Sequence, residues 1–197
     1  MPHSLETERL LLRPLEVADA DQAQQIFPHW EVVRYLNNRV PWPYPPDGAL
    51  TYYRDVALPA MKRGDEWHWT IRLRSSPAQM VGCISLMQRE GNNRGFWLGL
   101  DWHGQGLMSE ACAAVTDYWF DVLKFPVLRV PKAIANTASR RISERTGMRV
   151  VGVTVRDYVS GRLPTEIWEI TSAEWRARRQ AMASLSQPVK KRTPEQP

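Results

Sequence analysis

Three stretches of β-type sequence follow one another in the middle of the chain, and they place the strongest limit on its fold. Glu66–Arg74 alternates in polarity, Met80–Gln88 is mostly apolar, and Arg94–Asp101 is a third run of the same kind. The connecting segments SSPAQ and GNN are short and rich in turn-forming residues. The three strands are therefore predicted to pair as an antiparallel meander.

Helices are predicted before and after this meander in the sequence, because apolar residues recur at helical spacing in Glu16–Phe27 and from Leu107 to about Lys124. The other predicted elements are a strand at Glu8–Arg13, helices at Glu31–Leu36, Asp47–Arg63, Asn136–Gly147 and Ser172–Ser184, and strands at Val127–Ile134, Arg149–Asp157 and Thr165–Ile170. This order predicts an α+β domain with a mostly antiparallel sheet. The strand–helix–strand–helix part predicts one added parallel pairing.

The length of 197 residues suits one ordinary domain with a tail. We predict the domain at residues 1–185 and a disordered basic tail at residues 186–197, where SQPVKKRTPEQP is polar and has no apolar period. The tail holds three basic residues against one acidic residue, so the net charge of +5 overstates the basicity of the folded part. Nucleic-acid binding through this tail is therefore the least favoured interpretation.

The composition also argues against several other classes of protein. Two cysteines cannot build a disulfide framework, and four histidines without an HExxH pattern predict no metal site. No apolar run approaches the roughly 20 residues needed to span a bilayer, and the N-terminus lacks the features of a secretory signal. We therefore predict a cytoplasmic protein with no membrane partner.

A glycine-containing segment joins the last strand of the meander to the helix that begins at Leu107. Gly104 and Gly106 lack a Cβ atom, which lets the backbone pass close to a ligand. The helix start adds unpaired N–H groups and the positive end of the helix dipole, so the segment predicts an anion site suited to a pyrophosphate. It is neither a P-loop nor a dinucleotide fingerprint, since the Lys–Ser/Thr pair and the third glycine are absent.

Four segments occur in a recognisable order: LETERLLLRPLEVADA, VPWPYPPDGA, GFWLGLDWHGQGLMSEA and NTASRRISERTGM. In sequence and spacing they resemble the GNAT acetyltransferase superfamily, and within it the ribosomal-protein-alanine N-acetyltransferase branch. The resemblance covers roughly Leu5 to Arg176. It implies the GNAT fold, a mixed and mostly antiparallel central sheet flanked by helices, and acetyl-CoA as the acyl donor.

The resemblance also implies which residues contact the cofactor. In the family, the pantetheine arm pairs with the strand before the glycine motif, and a second helix contributes its first turn. The implied contacts are Leu98, Gly99, Leu100, His103, Gly104, Gln105, Gly106, Leu107, Met108, Ser109, Asn136 and Ser139. His103 and Met108 depart from the family pattern of Gln or Arg and a small residue, and Asn136 is also suited to a simple N-cap.

The family reaction is direct attack of a neutral amine on the thioester, which needs a base and an acid for the sulfur. The resemblance suggests Ser139 as the acid, with Ser143 as the rival at a position where many relatives carry a tyrosine. Asp157 is the candidate base, because Asn93 stands where many relatives carry a glutamate. Weaker options for the base are Glu166 and Glu90, and catalysis by positioning alone is a further alternative.

Aromatic residues on the proline-rich loop are candidates for the acceptor side of the site. Trp42 and Tyr44 lie between Pro41 and Pro46, and a stiff aromatic loop can enclose a ligand at low entropic cost, although simple packing is the alternative. Cys112 lies in an alanine-rich helix and is predicted to be a packing residue rather than a nucleophile. His68 is predicted to be structural or solvent-facing, on the face opposite its tryptophan neighbours.

The sequence thus predicts an N-acetyltransferase acting on a primary amine, which is either a small molecule or the N-terminus of a protein or peptide. The rival interpretation is a GNAT module that binds acyl-CoA without catalysis, as a sensor or interaction domain. Both a monomer and a homodimer fit the sequence.

Overall fold

The structure is a computed structural model that describes residues 2–185, and these residues form eight strands in two antiparallel sheets. The first sheet follows chain order and contains β1 (Leu5–Glu6), β2 (Leu10–Pro14), β3 (Glu66–Leu73), β4 (Ser76–Met87) and β5 (Arg94–Leu98). The second has the order β6–β8–β7 and contains β6 (Val127–Ala133), β7 (Arg149–Tyr158) and β8 (Gly161–Thr171). The predicted tail at residues 186–197 lies outside the described residues.

The meander predicted from the middle of the chain is confirmed. Ile84 of β4 lies opposite Trp69 of β3 and Phe96 of β5, so large apolar side chains stand in register across the sheet. Trp69 and Ile84 are fully buried, and Phe96 packs against the same core cluster. Cross-strand packing of this kind fixes the register, because a slip of one residue would turn every one of these side chains to the other face.

Helices cover both faces of the first sheet, as expected for an α+β domain. One face carries α5 (Leu107–Asp117), which continues into a π-helical turn, Tyr118–Val122, and α6 (Thr137–Thr146). The other helices are α1 (Ala20–Ile26), α2 (Trp30–Val33), α3 (Gly48–Tyr52), α4 (Leu58–Arg63) and, at the C-terminal end, α7 (Ser172–Leu185). Leu107, Ala111 and Val115 of α5 are buried in the main core, in agreement with their helical spacing.

The predicted parallel pairing between β5 and β6 is not formed as a ladder in the described chain. The two strands meet only where they begin: Asn93 N–H donates to Arg129 O at 2.7 Å, and Arg129 N–H donates to Asn93 Oδ1 at 2.8 Å. One reason lies in β6: the Arg129 N–H faces β5, so by strand alternation position 131 faces it too, and Pro131 has no N–H to donate. We call the space between β5 and β6 beyond this junction the fork.

The hairpin that joins β7 to β8 contacts the segment after α2. Val159 N–H donates to Leu36 O at 3.0 Å, and Ser160 N–H donates to Arg34 O at 3.1 Å. The Tyr35 hydroxyl also donates to Ala135 O at 3.3 Å, just before α6 begins. These contacts tie the second sheet to the helices of the first.

Candidate active site

The segment between β5 and α5 is a tight turn shaped by two glycines. Gly104 and Gly106 have φ values of +76° and +77°, in the left-handed region that favours glycine. Gly106 is the N-cap residue of α5, and in the described chain no side chain caps this helix. The first N–H groups of α5 therefore remain available to a ligand, at the positive end of the helix dipole.

Met108, a departure from the family pattern, does not obstruct this turn. Its side chain points into the main core together with that of Leu107, and both are buried. The peptide N–H groups at the start of α5 are thus left on the open side while the side chains anchor the helix. A bulky residue at position 108 is compatible with a ligand bound by backbone groups.

His103, the other departure, folds back onto β5. Its Nε2 lies 3.0 Å from Leu98 O, and because a carbonyl only accepts, this nitrogen must carry the proton. Gly99 N–H donates to Val81 O on β4, so by strand alternation the peptide groups of Leu98 face away from β4 and toward the fork. His103 therefore contacts the strand edge that borders the fork.

A clamp between the turn that joins β1 to β2 and helix α5 holds the glycine turn in place, and it was not predicted from the sequence. Glu110 in the first turn of α5 accepts from Thr7 Oγ1 at 2.5 Å, from Arg9 N–H at 2.8 Å and from Arg9 Nε at 2.7 Å. Arg9 Nη1 also donates to Gln105 O at 3.0 Å. Partial burial opposes ionisation of Glu110, but the hydrogen bonds from Thr7 and Arg9 outweigh it and lower its pKa. The clamp places a guanidinium beside Gly106.

The structure assigns Asn136 a definite local role. Its Oδ1 accepts from Ser139 N–H at 3.1 Å, so it is the N-cap of α6. Ser139 is buried close to this helix start, whereas Ser143 lies one turn further along and is 0% exposed. The Ser143 hydroxyl has no hydrogen-bond partner among residues 2–185.

The candidate bases differ in how free they are. Asp157 lies near the tip of the β7–β8 hairpin, with a side chain 58% exposed and 3.8 Å from Arg162 Nε. Glu166 is held by Arg140 at 2.8 and 3.0 Å and accepts from Trp168 Nε1 at 3.0 Å. Asn93 is hydrogen-bonded to Arg129 at the junction between the sheets. Asp157 and Glu90 are therefore the freest of these groups, since Glu90 is also exposed and has no hydrogen bond or ion pair within residues 2–185.

The two aromatic candidates on the proline-rich loop have different environments in the structure. Tyr44 packs edge-on against Phe27 with ring centres 4.9 Å apart, and burial together with Asp47 raises its pKa to about 12. Trp42 is 42% exposed and lies beside Trp30, with ring centres 5.6 Å apart. Tyr44 thus packs the loop onto the domain, and Trp42 presents an aromatic surface.

Cys112 and His68 have the structural roles expected of them. Cys112 is fully buried, and burial raises the pKa of its thiol, which keeps it protonated and unreactive. His68 is buried with Nε2 2.7 Å from Glu66 Oε2, and Arg89 contacts the other oxygen of that carboxylate. Among residues 2–185, no group of three or more histidine, cysteine or acidic side chains is arranged to hold a metal ion.

Two buried cations lie against α5, Arg94 on the first sheet and Lys132 on the second. Arg94 is 2% exposed, donates to Thr116 Oγ1 at 2.9 Å, and has an Nε without a partner in the described chain. Lys132 is 7% exposed, with Nζ 4.3 Å from the centre of the Phe96 ring. Burial, and then the charge of Arg94, lowers the pKa of Lys132 to about 7. This pair was not predicted from the sequence, although Lys132 shares its strand face with two buried residues, Leu128 and Val130.

A family model for the acetyltransferase (GNAT) domain matches residues 9–149, which include the glycine turn, the fork and α6. The chain belongs to the GNAT acetyltransferases. Its sequence is 25% identical over 164 residues to a Bacillus subtilis (strain 168) protein named "Probable N-acetyltransferase YjcK", covering 76% of this chain and 85% of that protein. The resemblance drawn from the four sequence segments is thereby confirmed at the level of the family.

Solved structures share the fold of this GNAT chain. Ribosomal-protein-S5-alanine acetyltransferase from Vibrio fischeri superposes with a TM-score of 0.73 at 15% identity, covering 87% of this chain and 98% of that one. RimL, a ribosomal L7/L12 alpha-N-protein acetyltransferase in complex with coenzyme A, has a TM-score of 0.70 at 16% identity, covering 84% and 95%. Among residues 2–185, no helix is both long and apolar enough to cross a membrane.

Replacing Lys132 with methionine should change the pH dependence of folding stability. The pKa of Lys132 in the folded state, about 7, lies below that of an unfolded lysine, so between the two values the unfolded state binds one more proton. The free energy of unfolding of the wild type should therefore rise with pH relative to Lys132→Met, by up to about 1.4 kcal/mol per pH unit above neutrality. Urea unfolding at several pH values measures this difference, and a difference that stays constant would contradict it.

Proposed function

We propose that this protein is an acetyl-CoA-dependent N-acetyltransferase whose acceptor is a primary amine, and that the N-terminal amine of a protein is the preferred acceptor. The observation that carries the proposal is the glycine turn with its uncapped helix start, placed directly beside the open fork. The acceptor is supported by the ribosomal-protein acetyltransferases of the same fold, two of which are named for protein substrates. A small amine is the alternative acceptor.

The residues of the turn fit the phosphate end of coenzyme A. Backbone N–H groups from Gly104 to Ser109 would bind the pyrophosphate, with the guanidinium of Arg9 adding a positive charge beside Gly106. The Leu98 carbonyl would accept from an N–H of the pantetheine arm as well as from His103, because it faces the fork and no strand occupies that side in the described chain. Asn136 keeps an amide NH2 group with no partner among residues 2–185, which suits a contact to the same arm.

Acetyl-CoA supplies a thioester whose carbonyl carbon is open to attack by a neutral amine. The Leu98 N–H, which faces the fork, would donate to the carbonyl oxygen as its charge develops. A free α-amino group in water has a pKa of about 8, so it needs only mild help, and Asp157 would accept its proton through water. We retain Ser139 over Ser143 as the hydroxyl near the sulfur, because the Ser143 hydroxyl is sealed in the core.

The deciding experiment is a screen of peptides and small amines with acetyl-CoA, read by release of the coenzyme A thiol. We expect turnover with one or more peptides that carry a free N-terminal amine, and no turnover when that terminus is blocked. Binding of acetyl-CoA without turnover on any acceptor would instead favour the non-catalytic acyl-CoA-binding module. Turnover with small amines alone would show that a small amine, and not a protein N-terminus, is the acceptor.

Replacing Gly106 with aspartate should abolish binding of acetyl-CoA, because it puts a negative charge where the phosphates bind. Gly64→Asp is the matched control, since Gly64 has φ +82°, no heavy atom within 4 Å of an added Cβ, and a place at the end of α4. The control should show the same backbone strain but keep its affinity. Calorimetric titration with acetyl-CoA measures both, and undiminished affinity in Gly106→Asp would overturn the phosphate assignment.

Replacing Arg9 with alanine should raise the dissociation constant for acetyl-CoA about tenfold, equal to about 1.4 kcal/mol, with little change in kcat. The clamp would lose its hydrogen bond to Gln105 O, and the glycine turn would lose the positive charge beside Gly106. Arg63→Ala removes an arginine in an exposed pair with Asp65, away from the turn, and serves as the control. An equal change in the two variants would show that the Arg9 clamp does not act on the cofactor.

Replacing Asp157 with asparagine should lower turnover about tenfold or more and move the rising limb of the pH–rate profile upward, because more of the amine must then lose its proton in solution. The control is Asp55→Asn, in which another exposed carboxylate beside an arginine is removed. Profiles of kcat/KM against pH for the three proteins measure the effect. A profile for Asp157→Asn that matches the wild type would exclude Asp157 as the base.

A further inference from the structure

Lys132 is a buried charged group on β6, one of the two strands that border the fork. It lies three residues beyond Arg129 on β6, as Phe96 lies three residues beyond Asn93 on β5, so both are equally far from the junction. The Lys132 ammonium crosses from one strand to the other and stands 4.3 Å from the centre of the Phe96 ring. Phe96 is two residues from Leu98 along the same strand face, which puts Lys132 next to the strand edge proposed for the thioester end.

The surroundings of Lys132 contain no free anion among the described residues. Arg94 of β5 adds a second positive charge, and the Cys112 thiol of α5 is held neutral by burial. Glu166 of β8 lies directly opposite in register, but it is bound by Arg140 of α6 and by Trp168. Lys132 therefore has no carboxylate partner in the described part of the chain, and its burial beside the guanidinium of Arg94 disfavours its charged form.

We propose that Lys132 is the acid that protonates the sulfur of coenzyme A when the thioester is cleaved. The inference rests on the function proposed above. As the amine nitrogen bonds to the acetyl carbon, the carbon–sulfur bond breaks, its electron pair goes to sulfur, and the Lys132 ammonium gives a proton to that sulfur. The attacking amine loses its surplus proton to Asp157 or water, and the neutral Lys132 is reprotonated from solvent.

The acidity of Lys132 suits this transfer better than that of an ordinary lysine or of the serines. A lysine in water has a pKa of about 10.4 and holds its proton more tightly than a thiolate of pKa about 8.5 does, so transfer would be uphill. Burial beside Arg94 lowers the pKa of Lys132 to about 7, below that of the thiol, so transfer from the ammonium to the thiolate becomes downhill. A serine hydroxyl is a far weaker acid than an ammonium group, and the Ser143 hydroxyl is sealed in the core. Lys132 thus supplies the proton donor that is missing at the position of the family tyrosine.

The first test uses coenzyme A itself and needs no acceptor. Bound coenzyme A is titrated by the ultraviolet absorbance of its thiolate in the wild type, Lys132→Met, Lys132→Arg and the control Lys62→Met, in which an exposed lysine is replaced. We expect the thiol pKa of bound coenzyme A to be at least one unit lower in Lys132→Arg than in the other three proteins, because arginine stays charged, whereas Lys132, the stronger acid, loses its proton before the thiol does. Equal thiol pKa values in all four proteins would overturn the proposal.

The second test separates proton transfer from simple charge. With an acceptor from the screen, Lys132→Met and Lys132→Arg should both lose at least tenfold in kcat while their affinity for acetyl-CoA stays within about threefold, because arginine keeps the charge but does not give up its proton. Full activity in Lys132→Arg would overturn the role as acid. Thermal unfolding verifies that the variants fold, and Lys132→Gln replaces any that does not. A wild type that binds coenzyme A but shows no turnover would contradict the proposed function, independently of the thiol titration.

Discussion

Asn93 joins the two sheets at a single point, and the shape of the site depends on that junction. Its side-chain amide donates to the carbonyls of Met87 and Arg89, while its oxygen and its backbone N–H exchange hydrogen bonds with Arg129. A side chain that bonds the local backbone in this way competes with the regular ladder. β5 and β6 therefore start in contact and continue apart, and the unpaired edge of β5 lies beside the glycine turn that leads into α5.

The helices and strands could be predicted from the sequence where their own apolar pattern shows which side faces the core. The alternation in β3 to β5 and the apolar spacing in α5 follow from which side chains face the core, and the structure has these elements where they were expected. The apolar positions of β5 and β6 do not predict the fork, because they are the same whether or not the backbones bond, and the one local signal is Pro131, which cannot donate to a ladder. The two strands would read as neighbours in either case.

The candidate site likewise contains features that are local in the sequence and features that depend on contacts between distant residues. The glycine turn was visible because Gly104 and Gly106 are local features of the sequence, whereas the bond between Arg9 and Glu110 joins residues 101 positions apart and leaves no local signal. Lys132 is an intermediate case. The alternation that places Leu128 and Val130 in the core also places a lysine there, and a charged residue at a core position is a detectable conflict between sequence and burial.

That conflict marks where folding stability and chemistry make opposite demands on one residue. An uncharged side chain at position 132 would pack against Phe96 without the cost of desolvating an ammonium group, and Arg94 adds to that cost. The low dielectric that makes the buried cations unfavourable also strengthens their attraction for any negative charge that forms in the fork. A thiolate leaving beside Lys132 would relieve the repulsion between the two cations. The site would therefore be least stable before reaction and best compensated when the carbon–sulfur bond breaks, which is the order that catalysis requires.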